Sequence, residues 1–77
     1  MNFQYIESNP KILAGKPCIK GTRISVELIL EWIANGSTIQ QICYEFPQLT
    51  AEAITEAVRF AAQTVNHEFY YEIKKVA

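Results

Sequence analysis

The chain has 77 residues, 49% of them hydrophobic and 19% charged, with a net charge of −1 at pH 7. A chain of this length makes one small domain that buries only roughly 60–65% of its unfolded surface, and its composition is too apolar for a disordered segment. No apolar run approaches the ~20 residues of a membrane span, Met1–Lys11 lacks the basic start and apolar block of a secretory signal, and Cys18 and Cys43 cannot build a disulfide framework.

Residues 1–24 read as short strands and turns. Phe3, Tyr5 and Ile6 favour extended backbone, and Ser8-Asn9-Pro10 breaks it. Ile12-Leu13 and Cys18-Ile19 flank Ala14-Gly15-Lys16-Pro17, which predicts a tight hairpin between those two pairs, and Gly21 supplies a further turn. Strands this short need a helical layer or a partner strand to persist.

Three helices follow. The first is expected from about Ser25 to Asn35, with Ser25 as N-cap, Glu27 near the positive helix end and Asn35-Gly36 as the stop. Val26, Ile29, Leu30 and Ile33 form its buried stripe, and Trp32 falls beside it, covering a core edge or marking an interface. The second helix is predicted to start at Ser37 in a capping box with Gln40. It buries Ile39, Ile42, Cys43 and Phe46 before Pro47 ends it, so Cys43 reads as a small core residue. Thr50 caps the third helix, whose expected inner face is Ile54, Ala57, Val58, Ala61 and Val65, with alanines small enough to let another helix approach.

That third helix has no Gly or Pro between Ala51 and Ala77, so it is expected to run ~26 residues, ~39 Å at 1.5 Å each. Val58, Ala62, Val65, Phe69, Ile73 and Val76 step by four and three along it, a seam that outlasts any core the chain can build. With Phe60, Tyr70 and Tyr71 alongside, the segment is too apolar for a lone water-facing helix. It folds back on its own domain or docks on something else. The domain reading is therefore 1–24 as short β elements, 25–64 as a three-helix body and 65–77 as a helical extension for dimer or partner contact.

The run Gly15-Lys16-Pro17-Cys18-Ile19-Lys20-Gly21-Thr22-Arg23-Ile24-Ser25-Val26 resembles the signature of the DUF433 family of small bacterial proteins. Asn35-Gly36, Ile39 to Ile42, Phe46-Pro47, Leu49-Thr50 and Ala57 to Ala62 extend the likeness, which covers about residues 5–62. Lys20 stands where arginine is common and Ser25 where proline is common, and the tail from Val65 lies outside the pattern. The resemblance implies a mainly α fold: a short N-terminal β-hairpin and a three-helix, helix-turn-helix-like body, here with a long C-terminal helix. It also implies an antitoxin role beside a nuclease-like toxin of PIN-like fold. No catalytic residues are established for the family, so none carry over, and no cofactor is implied.

The chemistry-bearing residues are few. Gly15-Lys16 is not a phosphate loop, because Pro10 occupies the first glycine position and Pro17 removes an amide donor after the lysine. Gly15, Pro17, Gly21, Thr22 and Arg23 read as an architectural signature, with Arg23 fixing the turn by bonding carbonyls or a glutamate. The competing reading makes Lys16, Lys20 and Arg23 a polyanion site. Residues 1–26 carry Lys11, Lys16, Lys20 and Arg23 against Glu7, a net of +3, while residues 27–77 carry a net of −4. His67 is the sole histidine, there is no aspartate, and Glu52 and Glu56, one helical turn apart, read as a solvated face. Glu68, Glu72 and Lys75 read likewise, and no metal-ligand spacing occurs.

A DNA-reading helix would offer Gln48, Thr50, Ala51, Glu52 and Thr55 to base edges, but Glu52 and Glu56 repel phosphates and no cation precedes Arg59. With the antitoxin role that the resemblance implies, the expected function is a cytoplasmic, non-enzymatic, dimeric antitoxin-like protein that blocks a PIN-like nuclease. Val65, Glu68, Phe69, Tyr70, Glu72 and Ile73 make the partner or dimer contacts. The alternative is a helix-turn-helix DNA-binding regulator using Lys16, Lys20, Arg23, Gln48 and Thr50, and a further alternative is a homo-oligomer of unknown role.

Overall fold

The computed structural model describes residues 3–76, with side chains placed through Asn66. It is mainly helical. Strand β1 (Ile6–Glu7), a single 3-10 turn (Leu13–Gly15) and β2 (Cys18–Ile19) precede helices α1 (Val26–Ala34), α2 (Ile39–Glu45) and α3 (Ala51–Val76). No helix among the described residues is long and apolar enough to cross a membrane.

The hairpin is antiparallel, but its partners differ from the sequence expectation. Cys18–Ile19 pairs with Ile6–Glu7 rather than with Ile12-Leu13, in the register Ile6 to Ile19 and Glu7 to Cys18. The intervening segment cannot extend into a strand, because Leu13, Ala14 and Gly15 take φ of 52°, 55° and 85° in succession. Left-handed backbone costs roughly 1–2 kcal/mol for each non-glycine residue, so local bonds must hold it. The Asn9 side chain accepts from the Lys11 amide at 2.9 Å, and the amides of Ile12 and Gly15 donate to the carbonyls of Asn9 and Ile12 at 2.8 and 3.0 Å. On its other side β2 meets the chain again: the amides of Ile19 and Val26 donate to the carbonyls of Ile24 and Pro17.

Helix α1 starts as the sequence predicts, with the Ser25 hydroxyl accepting from the Leu28 amide at 3.0 Å. It ends in a Schellman closure, the Gly36 amide donating to Ile33 O and the Ser37 amide to Trp32 O, each at 3.0 Å. This closure explains why the next helix starts one residue later than expected. Ser37 is committed to α1, so the capping box forms on Thr38 and Gln41 instead of Ser37 and Gln40. Thr38 Oγ1 accepts from the Gln41 amide at 3.1 Å, and Gln41 Oε1 accepts from the Thr38 amide at 2.8 Å. Pro47 drives Phe46 out of helical backbone and ends α2. Thr50 caps α3 as predicted, its hydroxyl accepting from the Ala53 amide at 3.1 Å.

The core lies where the hairpin and the first turns of all three helices meet. Ile6 and Ile19 from the hairpin, Val26 and Ile29 from α1, and Ile42 from α2 pack with Leu49, Ala53, Ile54 and Ala57. Two aromatic pairs close its edges. Trp32 stacks on Phe46 with ring centroids 4.6 Å apart, joining α1 to the end of α2. Phe3 meets Phe60 edge-on at 5.1 Å, fixing the start of the described chain against α3. Trp32 therefore covers a core edge.

Candidate interaction surface

Helix α3 is the element that outgrows the core. Among its residues whose side chains are described, the last buried one is Ala57; Phe60, Ala61 and Gln63 are half-buried, and Thr64, Val65 and Asn66 are exposed while the helix continues to Val76. The expected inner face needs correction at two positions. Val58 and Val65 are 37% and 64% exposed, and the buried set is Ala53, Ile54 and Ala57. At ~100° per residue, Val58 stands about a third of a turn from the line through Ala53 and Ala57, so the body on that line does not cover it.

Glu56 is the second correction. It was expected on a solvated face with Glu52, yet it is 9% exposed, and its Oε1 accepts from the Tyr5 amide at 2.6 Å. The backbone beside β1 thus finds on α3 the acceptor that a third strand would have supplied. Glu52 stays exposed, so the two carboxylates share no environment suited to acid–base chemistry.

A groove of about 680 Å³ opens between α1 and the outer part of α3. Val26, Leu30 and Ala34 form one wall, and Phe60, Ala61 and Val65 the other. Lys16, Glu27 and Glu31 stand at its rim. Lys16 Nζ lies 3.2 Å from Glu27 Oε1, a pair largely open to water and worth at most ~1 kcal/mol. The sequence hinted at this groove only through the small alanines of α3. Ala61, half-buried, both packs against the core and lines the groove.

The signature residues build the turns around β2. Gly15 and Gly21 have φ of 85° and 77°, and the Pro17 carbonyl receives the Val26 amide at 2.9 Å. Thr22 does the work expected of Arg23. Its hydroxyl donates to Ile19 O at 2.9 Å and accepts from the Ile24 amide at 3.0 Å, whereas Arg23 is exposed and makes no hydrogen bond or ion pair among the described residues.

The candidate nucleic-acid residues fall into two groups: Lys16, Lys20 and Arg23 around β2, and Gln48 and Thr50 at the α2–α3 junction. No hydrogen bond or ion pair joins the groups among the described residues, and the Thr50 hydroxyl is engaged as a cap. Of the expected partner residues, Val65 is on the surface as described, while Glu68, Phe69, Tyr70, Glu72 and Ile73 lie outside the residues whose side chains are described. Neither thiol is freely exposed. Cys18 is fully buried, and burial, reinforced by Glu7, pushes its thiol pKa up; Cys43 is half-buried on α2.

Residues 6–61 match the family model described as "Protein of unknown function (DUF433)". The uncharacterized protein y4eO of Sinorhizobium fredii is 33% identical over 58 residues, which is 75% of this chain and 26% of that protein. The chain thus spans about a quarter of that curated relative's length. The crystal structure of a DUF433 member protein from Anabaena variabilis matches with a TM-score of 0.76 at 25% identity, over 82% of this chain and 62% of that one.

Proposed function

The chain belongs to the DUF433 family, and on that premise we propose that it is a non-enzymatic, antitoxin-like protein of the cytoplasm that binds and blocks a nuclease of PIN-like fold. The observation that carries this reading is the exposure of Val58 and Val65 on a helix that runs on beyond its own core. An apolar helical face that its own body leaves bare is the usual material of helix-in-groove recognition. The sequence adds carboxylates at Glu68 and Glu72 among Phe69, Tyr70 and Ile73, a mixture suited to a basic RNA-binding cleft. The nuclease itself is supplied by the family resemblance. In this reading the outer part of α3 occludes the cleft sterically and by charge, and the buried Cys18 takes no part.

The test is reconstitution with the nuclease encoded beside the gene. Co-elution at fixed stoichiometry, with RNA cleavage suppressed, is the expected result, and a chain ending at Gln63 should lose both while its remaining helices still unfold cooperatively by circular dichroism. Undiminished cleavage at saturating protein would refute the proposal.

A DNA-binding reading draws on the exposure of Lys20, Arg23 and Gln48. It requires charge reversal at Lys20 and Arg23 to weaken operator binding and flatten its salt dependence. Affinity unchanged by that double reversal would remove it.

A further inference from the structure

The groove between α1 and α3 is apolar along both walls and open among the described residues, and the chain's own tail cannot reach it. Helix α3 forms one wall and then continues unbroken to Val76, which carries its end roughly 16 Å past Val65 along the axis. With no Gly or Pro after Pro47 at which to bend back, the tail leaves the groove behind it.

We infer that this groove seats the last turns of α3 from a second copy of the chain, in a closed two-fold pair with the two α3 helices antiparallel. The fit is chemical as well as spatial. Beyond Val65, the sequence sets Phe69, Ile73 and Val76 at steps of four, four and three, the spacing that lays one apolar line into a groove. Lys74 and Lys75 stand beside that line, and the groove's rim is acidic at Glu27 and Glu31. Glu31 has no partner among the described residues, and Glu27 has only the water-exposed Lys16.

Antiparallel crossing just beyond Val65 brings each tail to the other's groove, so every copy gives one tail and receives one, and the assembly closes without forming a filament. An aromatic anchor alone buries ~150–250 Å². Three tail anchors with the walls they cover, counted twice, reach the ~1,200–2,000 Å² of a stable interface.

The inference does not rest on the nuclease reading, in which Phe69 and Ile73 meet the cleft instead, so that pairing and nuclease binding compete, and it is tested on the purified full-length chain alone by light scattering across a concentration series. The wild type should show twice the chain mass, dissociating on dilution. Val65→Glu, at an exposed position that leaves the core intact, should raise the dimer dissociation constant at least ~10-fold. Glu31→Lys should weaken pairing several-fold, as should Lys74→Glu with Lys75→Glu, and the three changes together should restore it. Val58→Glu, on α3 but outside the groove, should leave pairing unchanged; circular dichroism would check that each variant folds. A monomer at every concentration would overturn the inference and leave the groove to a different protein. So would a dimer broken by Val58→Glu but indifferent to the charge exchange, since pairing would then lie on the outer face of α3.

Discussion

Thr22 holds the turn after β2 by using its hydroxyl in both directions, toward Ile19 O and from the Ile24 amide. Thr22→Val should therefore cost about 1–2 kcal/mol in urea unfolding, with Thr22→Ser close to wild type. Arg23→Ala should stay within about 0.5 kcal/mol, as for surface substitutions away from such features. Equal losses at the two positions would return the turn to the guanidinium. Glu56 is the other single residue on which two elements depend. Glu56→Ala leaves the Tyr5 amide without its acceptor and should destabilise by about 1.5–3 kcal/mol, while Glu56→Gln, which keeps an acceptor, should lose less. A thermal midpoint unmoved by Glu56→Ala would count against the contact. Neither role was legible in the sequence. Threonine beside arginine in a turn does not say which one bonds the backbone, and a glutamate one turn from Glu52 looks like any solvated pair until β1 is placed against it.

At the scale of elements, the helices were legible because their signals are local. Ser25 and Thr50 sit where caps belong, Asn35-Gly36 permits the left-handed exit that Gly36 takes with φ of 99°, and Pro47 follows the last turn of α2. The one shifted boundary has a local cause as well, the commitment of Ser37 to the end of α1. Thr38→Ala should thus cost about 1 kcal/mol, a fall of roughly 4–8 °C in a domain this small. Ser37→Ala should cost little, since the closure uses its amide and not its hydroxyl; scanning calorimetry on the two variants separates them, and the reverse order would restore the earlier start. The hairpin was harder to read, because strand partners are chosen by burial across the fold. Ile12-Leu13 has the composition of a strand, but Ile6 is the residue that reaches the core.

For the molecule as a whole, the length of α3 was foreseeable, since no Gly or Pro interrupts the chain after Pro47. The groove beside it was not, because it exists only once α1 is laid against α3. The buried thiol of Cys18 is also a global feature. Burial of Cys18, with Glu7 adding to it, raises its pKa above the ordinary 9.0. Below that value the thiol is neutral in both folded and unfolded chains, and stability is at its full level. Above it the unfolded chain gains by ionising, so stability falls as pH rises, until the folded thiol also ionises. Urea midpoints from pH 7 to above 9.0 should decline more steeply for the wild type than for Cys18→Val; parallel slopes would show that the thiol is not responsible. The Tyr5–Glu56 hydrogen bond, finally, spans 51 positions of sequence. Synthesis proceeds from the N-terminus at ~5–20 residues per second, so Tyr5 waits roughly 3–10 s for its acceptor to be made. During that interval Ile6 and Ile19 lack α3 to cover them, and the nascent hairpin is an open edge in the company of other chains. Helix α3 is what finishes the first strands.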